Sequence, residues 1–402
     1  MFFLPVLVAV LYLVWPVYGY FAEDKAGLRA PWGWQTVPEA KTCHSGVTDP
    51  SVRHIADEAC QLLLDYQAAL RVPSLSAAIA IDGTLVWSGA VGWADIGASV
   101  PATSSTLYRI GSTSKPVTGT LLARMVGVGL VSLDEPIGNY IDDLPNPGWH
   151  ALTLRQLASH TAGLPEYGTN EDILGLYQSI ALRRAHTDVR QGLALFDGSP
   201  QRFTPGSDFE YSSFGALLIA SVLQEVAGKP FTQLMDEQVL MPLALQSPVP
   251  DKVTADSAQF YQLRDNHAKP WRFVDLSNKL PGGGFMSRPE DLVRLGSAWL
   301  DTEFISAETR AQFWQPQRLS SGEINEQSYA LTWRWNEAAA YAHHGGVSKG
   351  AMAWLAVYPS SAGHQSLAVA LTINTKLERF GDFSSLQTRL AQLFLSSDIH
   401  LP

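Results

Sequence analysis

Residues 109–119 read "RIGSTSKPVTG", and the way this stretch folds decides how everything around it is read. Pro116 has no N–H to give to a helix interior, whereas the first four N–H groups of any helix lack an intrahelical partner. A helix that contains Pro116 therefore starts close to Ser112. That start puts the Ser112 hydroxyl at the positive end of the helix dipole, with Lys115 one turn further along the same face. A serine hydroxyl becomes a nucleophile only when a base takes its proton, and a lysine amine is such a base only where burial and positive potential favour its neutral form. A helix start beneath an apolar lobe supplies both conditions. Taken alone, the same spacing also describes a helix cap followed by a solvated lysine, so the rest of the chain has to choose.

Outward from this stretch the patterning runs from mixed to helical and back. Upstream, "ADEACQLLLDYQAAL" (56–70) is apolar at helical spacing, and "SLSAAIAIDGTLVWSGAVGWAD" (74–95) is two β-rich runs around Asp82-Gly83. Downstream, "TGTLLARMVGVGLVSLDEPIGNYI" (118–141) and "LTLRQLASHTAGLP" (152–165) open a mostly helical middle punctuated by Gly and Pro. Strand-like runs return at "YALTWRW" (329–335), "AMAWLAVYP" (351–359) and "SLAVALTIN" (366–374), and "SSLQTRLAQLFLSS" (384–397) is amphipathic. This order predicts an α/β (α+β) fold: one antiparallel sheet flanked by terminal helices, with an inserted all-helical lobe. The catalytic domain is expected over 51–402, with the helical lobe at about 112–264 and a cleft between the lobes. No internal repeat and no low-complexity tract is present.

The composition excludes some partners. With 402 residues, 46% of them hydrophobic and 16% charged, the chain has material for a large core. A net charge of -10 and no basic run argue against nucleic acid. Met1 to Ala22 carries no charged side chain, and about 20 apolar residues suffice to cross a bilayer. A cleaved secretory signal and a retained membrane anchor both fit residues 1–22. Trp15, Tyr18, Tyr20 and Phe21, at the far end where rings sit among headgroups, speak for the anchor. Either way the remainder is expected to be exported, to the periplasmic or extracellular side. Residues 23–50, rich in Pro, Gly and Trp, read as a tether. Cys43 lies in it and Cys60 on the following helix. Outside the reducing cytosol such a pair either bridges, contributing roughly 3 kcal/mol, or stays as two thiols.

Two further stretches bring polar groups to the cleft. In "FEYSSFGALLIASVLQEVAGKPF" (209–231), Ser212 or Ser213 can cap a helix that ends at Gly228, leaving Tyr211 just outside it. A phenol near a lysine can carry the proton from nucleophile to leaving group. In "AHHGGVSKGAMAWLAVYP" (342–359), strand alternation allows only one of His343 and His344 to face the site, which also makes the pair a poor metal chelate. Gly345 and Gly346 let a substrate approach the strand. The Val347 N–H can then join the Ser112 N–H in holding an oxyanion.

Together and in this order, "YRIGSTSKP", "LTLRQLASHTAGLP", "PGSDFEYSSFGALLIASVLQEVAGKPF", "PGGGFMSRPEDLVRL" and "HGGVSKGAMAWLAVYP" resemble the S-x-x-K serine hydrolases of the class C β-lactamase and penicillin-binding-protein type. The Tyr-Ser-Ser-Phe-Gly and Gly-Gly-Gly-Phe runs look most similar to the mitochondrial β-lactamase-like serine proteases. The resemblance implies Ser112 as the acylated nucleophile, Lys115 as its base, Tyr211 as proton shuttle and no cofactor or metal. The third family box, K-T-G or H-x-G, fits two registers here, and the one beginning at His344 continues without a gap. Ser213 stands where the family's usual Tyr-x-Asn has Asn, and a hydroxyl offers an acyl-amide substrate fewer hydrogen bonds. A histidine in place of the third-box lysine is a weaker anion anchor. The resemblance thus implies a hydrolase of small esters or short peptides. The alternatives are a D-alanyl-D-alanine carboxypeptidase, a weak β-lactamase, or a scaffold that keeps the pocket without turnover.

Overall fold

The computed structural model describes residues 3–24, 30–48, 52–361 and 365–395. Met1 and Phe2 of the apolar segment, and residues 25–29, 49 and 50 of the expected tether, lie outside the described residues. The strands of the central sheet are β1 (Cys43–Val47), β2 (Ser74–Ile81), β3 (Thr84–Asp95), β4 (Arg334–Asn336), β5 (Tyr341–Ser348), β6 (Ala351–Tyr358) and β7 (Leu367–Ile373). They run in the order β4-β5-β6-β7-β2-β3-β1, all antiparallel, and Val100–Pro101 adds a short eighth strand to β3. The pairing of β7 with β2 joins segments nearly 300 residues apart, Leu371 opposite Ala77. The expected union of the two ends of the chain into one sheet is therefore present.

Period-two alternation sends the two faces of this sheet into different cores. In β2, Ala78 and Ala80 join the cluster under the helical lobe, while Leu75, Ala77, Ile79 and Ile81 join the cluster beneath α2 (Arg53–Leu70) and α6 (Phe380–Leu395). β2, β6 and β7 are buried on both faces and so read as near-continuous apolar runs. On the first face lie α3 (Ser114–Gly127), α4 (Phe214–Ala227) and α5 (Pro289–Ala298). α5 packs on β2, β6 and β7, and a side chain at Gly296 would stand 2.8 Å from Val357 Cγ2.

Two boundaries differ from expectation. Helical segments run from residue 111 to Leu240. Beyond them, inside the span expected to be all helical, come Val249–Pro250 and a hairpin of Tyr261–Arg264 with His267–Pro270, after Pro242, Pro248 and Pro250 have ended the helical run. Nor is the expected tether wholly unstructured. Gln35 and Thr36 pair with Ala268 and His267, and β1 pairs with β3 as the edge of the main sheet, Cys43 opposite Val91. Pro/Gly density hid a strand that backbone pairing holds to β3 and that the Cys43–Cys60 bond, with Cα atoms 5.7 Å apart, ties to α2.

The apolar segment forms helix α1 (Phe3–Gly19), and Pro5–Ala22 has a mean hydropathy of 1.7, long and apolar enough to cross a membrane. It touches the rest of the chain near residues 173–181: Tyr177 Oη donates to the Leu13 carbonyl, and the Arg183 guanidinium lies 4.5 Å from the Tyr12 ring.

Candidate active site

Ser112 sits on a single 3₁₀ turn, Gly111–Thr113, that leads directly into α3. The α-helix proper begins two residues later than Pro116 alone suggested. This turn lies on β5 in backbone contact, and two glycines allow it. A Cβ on Gly111, whose φ is +51°, would stand 2.5 Å from the Val347 carbonyl oxygen, and one on Gly346 would stand 1.9 Å from the Ile110 oxygen. The Val347 backbone is thereby held beside the Ser112 turn, as an oxyanion pair requires. Upstream, buried Arg109 donates to Asp251 at 2.8 Å and to the Lys349 carbonyl at 2.8 Å, tying the approach to Ser112 to the end of β5.

Lys115 is only 2% exposed. Its Nζ lies 3.4 Å from Ser112 Oγ, 3.0 Å from Ser213 Oγ and 3.0 Å from the Gly282 carbonyl, and 4.6 Å above the Tyr211 ring. No carboxylate among the described residues pairs with it. Sequence spacing left two serines as possible caps for α4, and the structure separates their jobs. Ser212 Oγ accepts from the Phe214 N–H and donates to the Pro165 carbonyl, which leaves Ser213 Oγ free to meet Lys115.

Tyr211 stands just before these serines. Its hydroxyl is buried and has no partner among the described residues, while its ring lies 4.3 Å from His160 and 6.4 Å from His344. His344 and Gly346 turn inward, Gly346 against the Ser112 turn, while His343, Gly345 and Val347 border the open space before Ser112, as alternation demands. The His344 ring faces inward rather than to solvent. Its Nε2 meets the Tyr329 hydroxyl at 2.9 Å and the Arg334 guanidinium at 3.2 Å, and its Nδ1 lies 2.8 Å from the Gly345 carbonyl. A guanidinium only donates and a carbonyl only accepts, so Nε2 is the acceptor and Nδ1 carries the proton. Burial foremost, with the Arg334 cation nearby, holds both His344 and His160 well below the ordinary histidine range.

The cation next to Tyr211 is therefore not histidine. Arg334 on β4, opposite His343 in the strand register, places its guanidinium 5.3 Å from the Tyr211 ring and 4.9 Å from the Tyr329 ring. Sequence reasoning missed it. The one signal was a lone arginine within the apolar run "LTWRW".

The open space before Ser112 has a polar part of about 250 Å³, lined by Glu166, Tyr167, Lys279, Lys349 and Lys376 among others, and an aromatic part of about 330 Å³. A larger cavity of about 550 Å³, bordered by Asp95, Phe260 and Arg272, shares no lining residue with either and offers no nucleophile-and-base pair. Chemistry selects the smaller ones.

A sequence profile described as Beta-lactamase matches residues 61–392. The chain belongs to the beta-lactamase family. Within this family, it is 25% identical over 466 residues to the human mitochondrial serine beta-lactamase-like protein LACTB, covering 92% of this chain and 81% of that protein. To the esterase EstB of Burkholderia gladioli it is 29% identical over 242 residues, covering 57% of this chain and 60% of that one. The hydrolase EstCE1, described as having promiscuous acyltransferase activity, superposes with a TM-score of 0.71 at 21% identity over 85% of this chain and 99% of its own. A penicillin-binding protein homologue from Pyrococcus abyssi does so at 0.67 and 20%, over 85% and 77%. The fold is thus that of the beta-lactamases and penicillin-binding proteins, and the chain is a serine hydrolase of this beta-lactamase family.

Proposed function

We propose that the protein is an exported hydrolase that cleaves small esters or short peptides through an acyl-Ser112 intermediate. The observation that carries this reading is Lys115: a buried amine, without a carboxylate partner, within reach of both Ser112 Oγ and the Tyr211 ring. Lys115 takes the Ser112 proton as Oγ bonds to the substrate carbonyl carbon. The carbonyl oxygen becomes an oxyanion facing the Ser112 and Val347 N–H groups. Tyr211 donates its proton to the departing atom as that bond breaks, with the Arg334 guanidinium 5.3 Å from its ring. Water then attacks the acyl group, and the protons return by the reverse route. Ser213, in the place of the family's Asn, and Gly345, in the place of Thr, leave fewer groups to grip an acyl amide, which favours esters over β-lactams. A carboxypeptidase acting on D-alanyl-D-alanine is the second reading, favoured by Lys279, Lys349 and Lys376 around the polar part of the cleft and by the similarity, 26% over 248 residues, to the Escherichia coli carboxypeptidase/endopeptidase AmpH. Export rests on the apolar α1 segment.

A fluorophosphonate probe with intact mass measurement tests the chemistry. One adduct is expected on the wild type and none on Ser112→Ala; no adduct on the wild type at any pH overturns the reading in favour of a non-catalytic scaffold. Side-by-side turnover of a p-nitrophenyl ester, nitrocefin and a D-Ala-D-Ala peptide ranks the substrates, with the ester expected first.

A further inference from the structure

The aromatic part of the cleft has walls that no motif announces. His343 lies flat on Trp354, with ring centroids 4.9 Å apart and planes 14° from parallel, and Phe380, the first residue of α6, stands 5.6 Å from Trp354. Both rings close over β5 because residue 345 has no side chain. A Cβ on Gly345 would stand 2.4 Å from Phe380 Cζ and 3.0 Å from Trp354 Cε3. The same residue that weakens an amide grip therefore opens a slot bounded by ring faces. Ser112, the Arg334 cation and Tyr211 also line it, and the buried Tyr211 hydroxyl has no partner among the described residues.

We propose that this slot, bounded by His343, Trp354 and Phe380, is the leaving-group subsite and selects a flat aromatic group. This rests on the hydrolase reading above. The departing atom has to take its proton from Tyr211, so it departs beside that hydroxyl. Tyr211 borders both parts of the cleft, but Ser213 and Gly282, which hold Lys115, line only the polar part, and the acyl substituent extends there, which leaves the aromatic slot to the departing group. Flat rings meet at centroid separations of about 4.5–7 Å in offset or edge-on pairs, and a guanidinium is drawn to a ring face. A planar leaving group finds both partners in this slot, and a globular one of equal acidity finds neither. In the step itself the C–O bond to the aryl group breaks, the aryl oxygen takes the Tyr211 proton, and the acyl group remains on Ser112 Oγ.

The test compares phenyl acetate with hexafluoroisopropyl acetate, which share an acyl group and have leaving alcohols of similar acidity but different shape. The wild type is expected to favour phenyl acetate in kcat/KM by about tenfold or more, a span one well-formed pocket contact supplies. Phe380→Ala and Gly345→Thr are expected to bring that ratio near one, chiefly through KM, while Phe380→Tyr keeps it. Phe380→Leu, which fills the space without a flat face, is expected to fall between and covers the case in which Phe380→Ala does not fold. A wild-type ratio near one, or a ratio that Phe380→Leu and Gly345→Thr both leave unchanged, overturns the proposal. Fluorophosphonate labelling of wild-type Ser112, whose leaving fluoride needs no slot, separates the two failures. Absent labelling sinks the hydrolase reading, and intact labelling with a ratio near one sinks the slot alone.

Discussion

At the scale of single residues, Lys115 is held by three oxygens and one aromatic face rather than by a counter-charge. Lys115→Met keeps the packing and removes the amine. Its kcat on a p-nitrophenyl ester is expected to fall about 10²–10⁴-fold, the usual worth of a positioned general base, with its thermal unfolding close to the wild type's. Arg334 acts one step further out, through Tyr211. Arg334→Lys removes the planar fork that meets His344 and Gln327 while keeping a positive charge, and is expected to lower kcat more than KM, with a shifted pH profile. Ser112, Lys115 and Tyr211 were legible in the sequence because helix-start chemistry and the Tyr-Ser-Ser spacing are local. Arg334 was not, because it reaches the site only through the register of β4 on β5.

Between elements, the decisive contact is that of the Ser112 turn with β5, where Gly111 and Gly346 take the place of side chains. Gly346→Ala sets a methyl group into the Ile110 carbonyl and pushes the turn away from Val347. Loss of most activity is expected with the protein still folded, measured as kcat/KM beside the far-UV CD spectrum; unchanged kcat/KM would contradict the placement. A different joint holds the edge of the sheet, where Cys43 on β1 is bonded to Cys60 on α2 across a separation of 17 residues. Closing a loop of this size is worth about 3 kcal/mol, so Cys43→Ser/Cys60→Ser is expected to lower the denaturant midpoint without changing ester turnover. The alternating cysteine-bearing strand was unreadable beforehand because an exposed edge strand has no buried face to imprint on its sequence; β1 is partly or fully exposed throughout.

For the whole molecule, three histidines shielded from water, His160 and His344 buried and His343 partly so, set the response to acid. Burial, with the Arg334 cation, pushes His343 down to about 3, and His160 and His344 are also held well below the usual range. In the unfolded chain each titrates near 6.5, so below that pH the unfolded state binds more protons and the folded state loses ground by up to about 1.4 kcal/mol per pH unit for each histidine. Their contribution is complete above about pH 6.5 and is lost as pH falls toward 3. A melting temperature that declines steeply from pH 7 to pH 5 is expected, less so in His343→Gln; a flat profile over that range would contradict the burial of these rings. The fold class was legible from the order of helical and strand-like runs. The pairing of β7 with β2, and the packing of α5 on the face opposite α2 and α6, depend on contacts between distant segments that no local pattern encodes.

That same reach across the chain makes turnover an honest thermometer of the native state. The proposed nucleophile and its proposed oxyanion partner sit 235 positions apart, Ser112 to Val347, and meet only after the sheet between them has zipped shut. A partly assembled intermediate has no working centre to retain. Loss of Ser112 labelling in urea should coincide with the change in emission of the 12 tryptophans, whichever curve is recorded first.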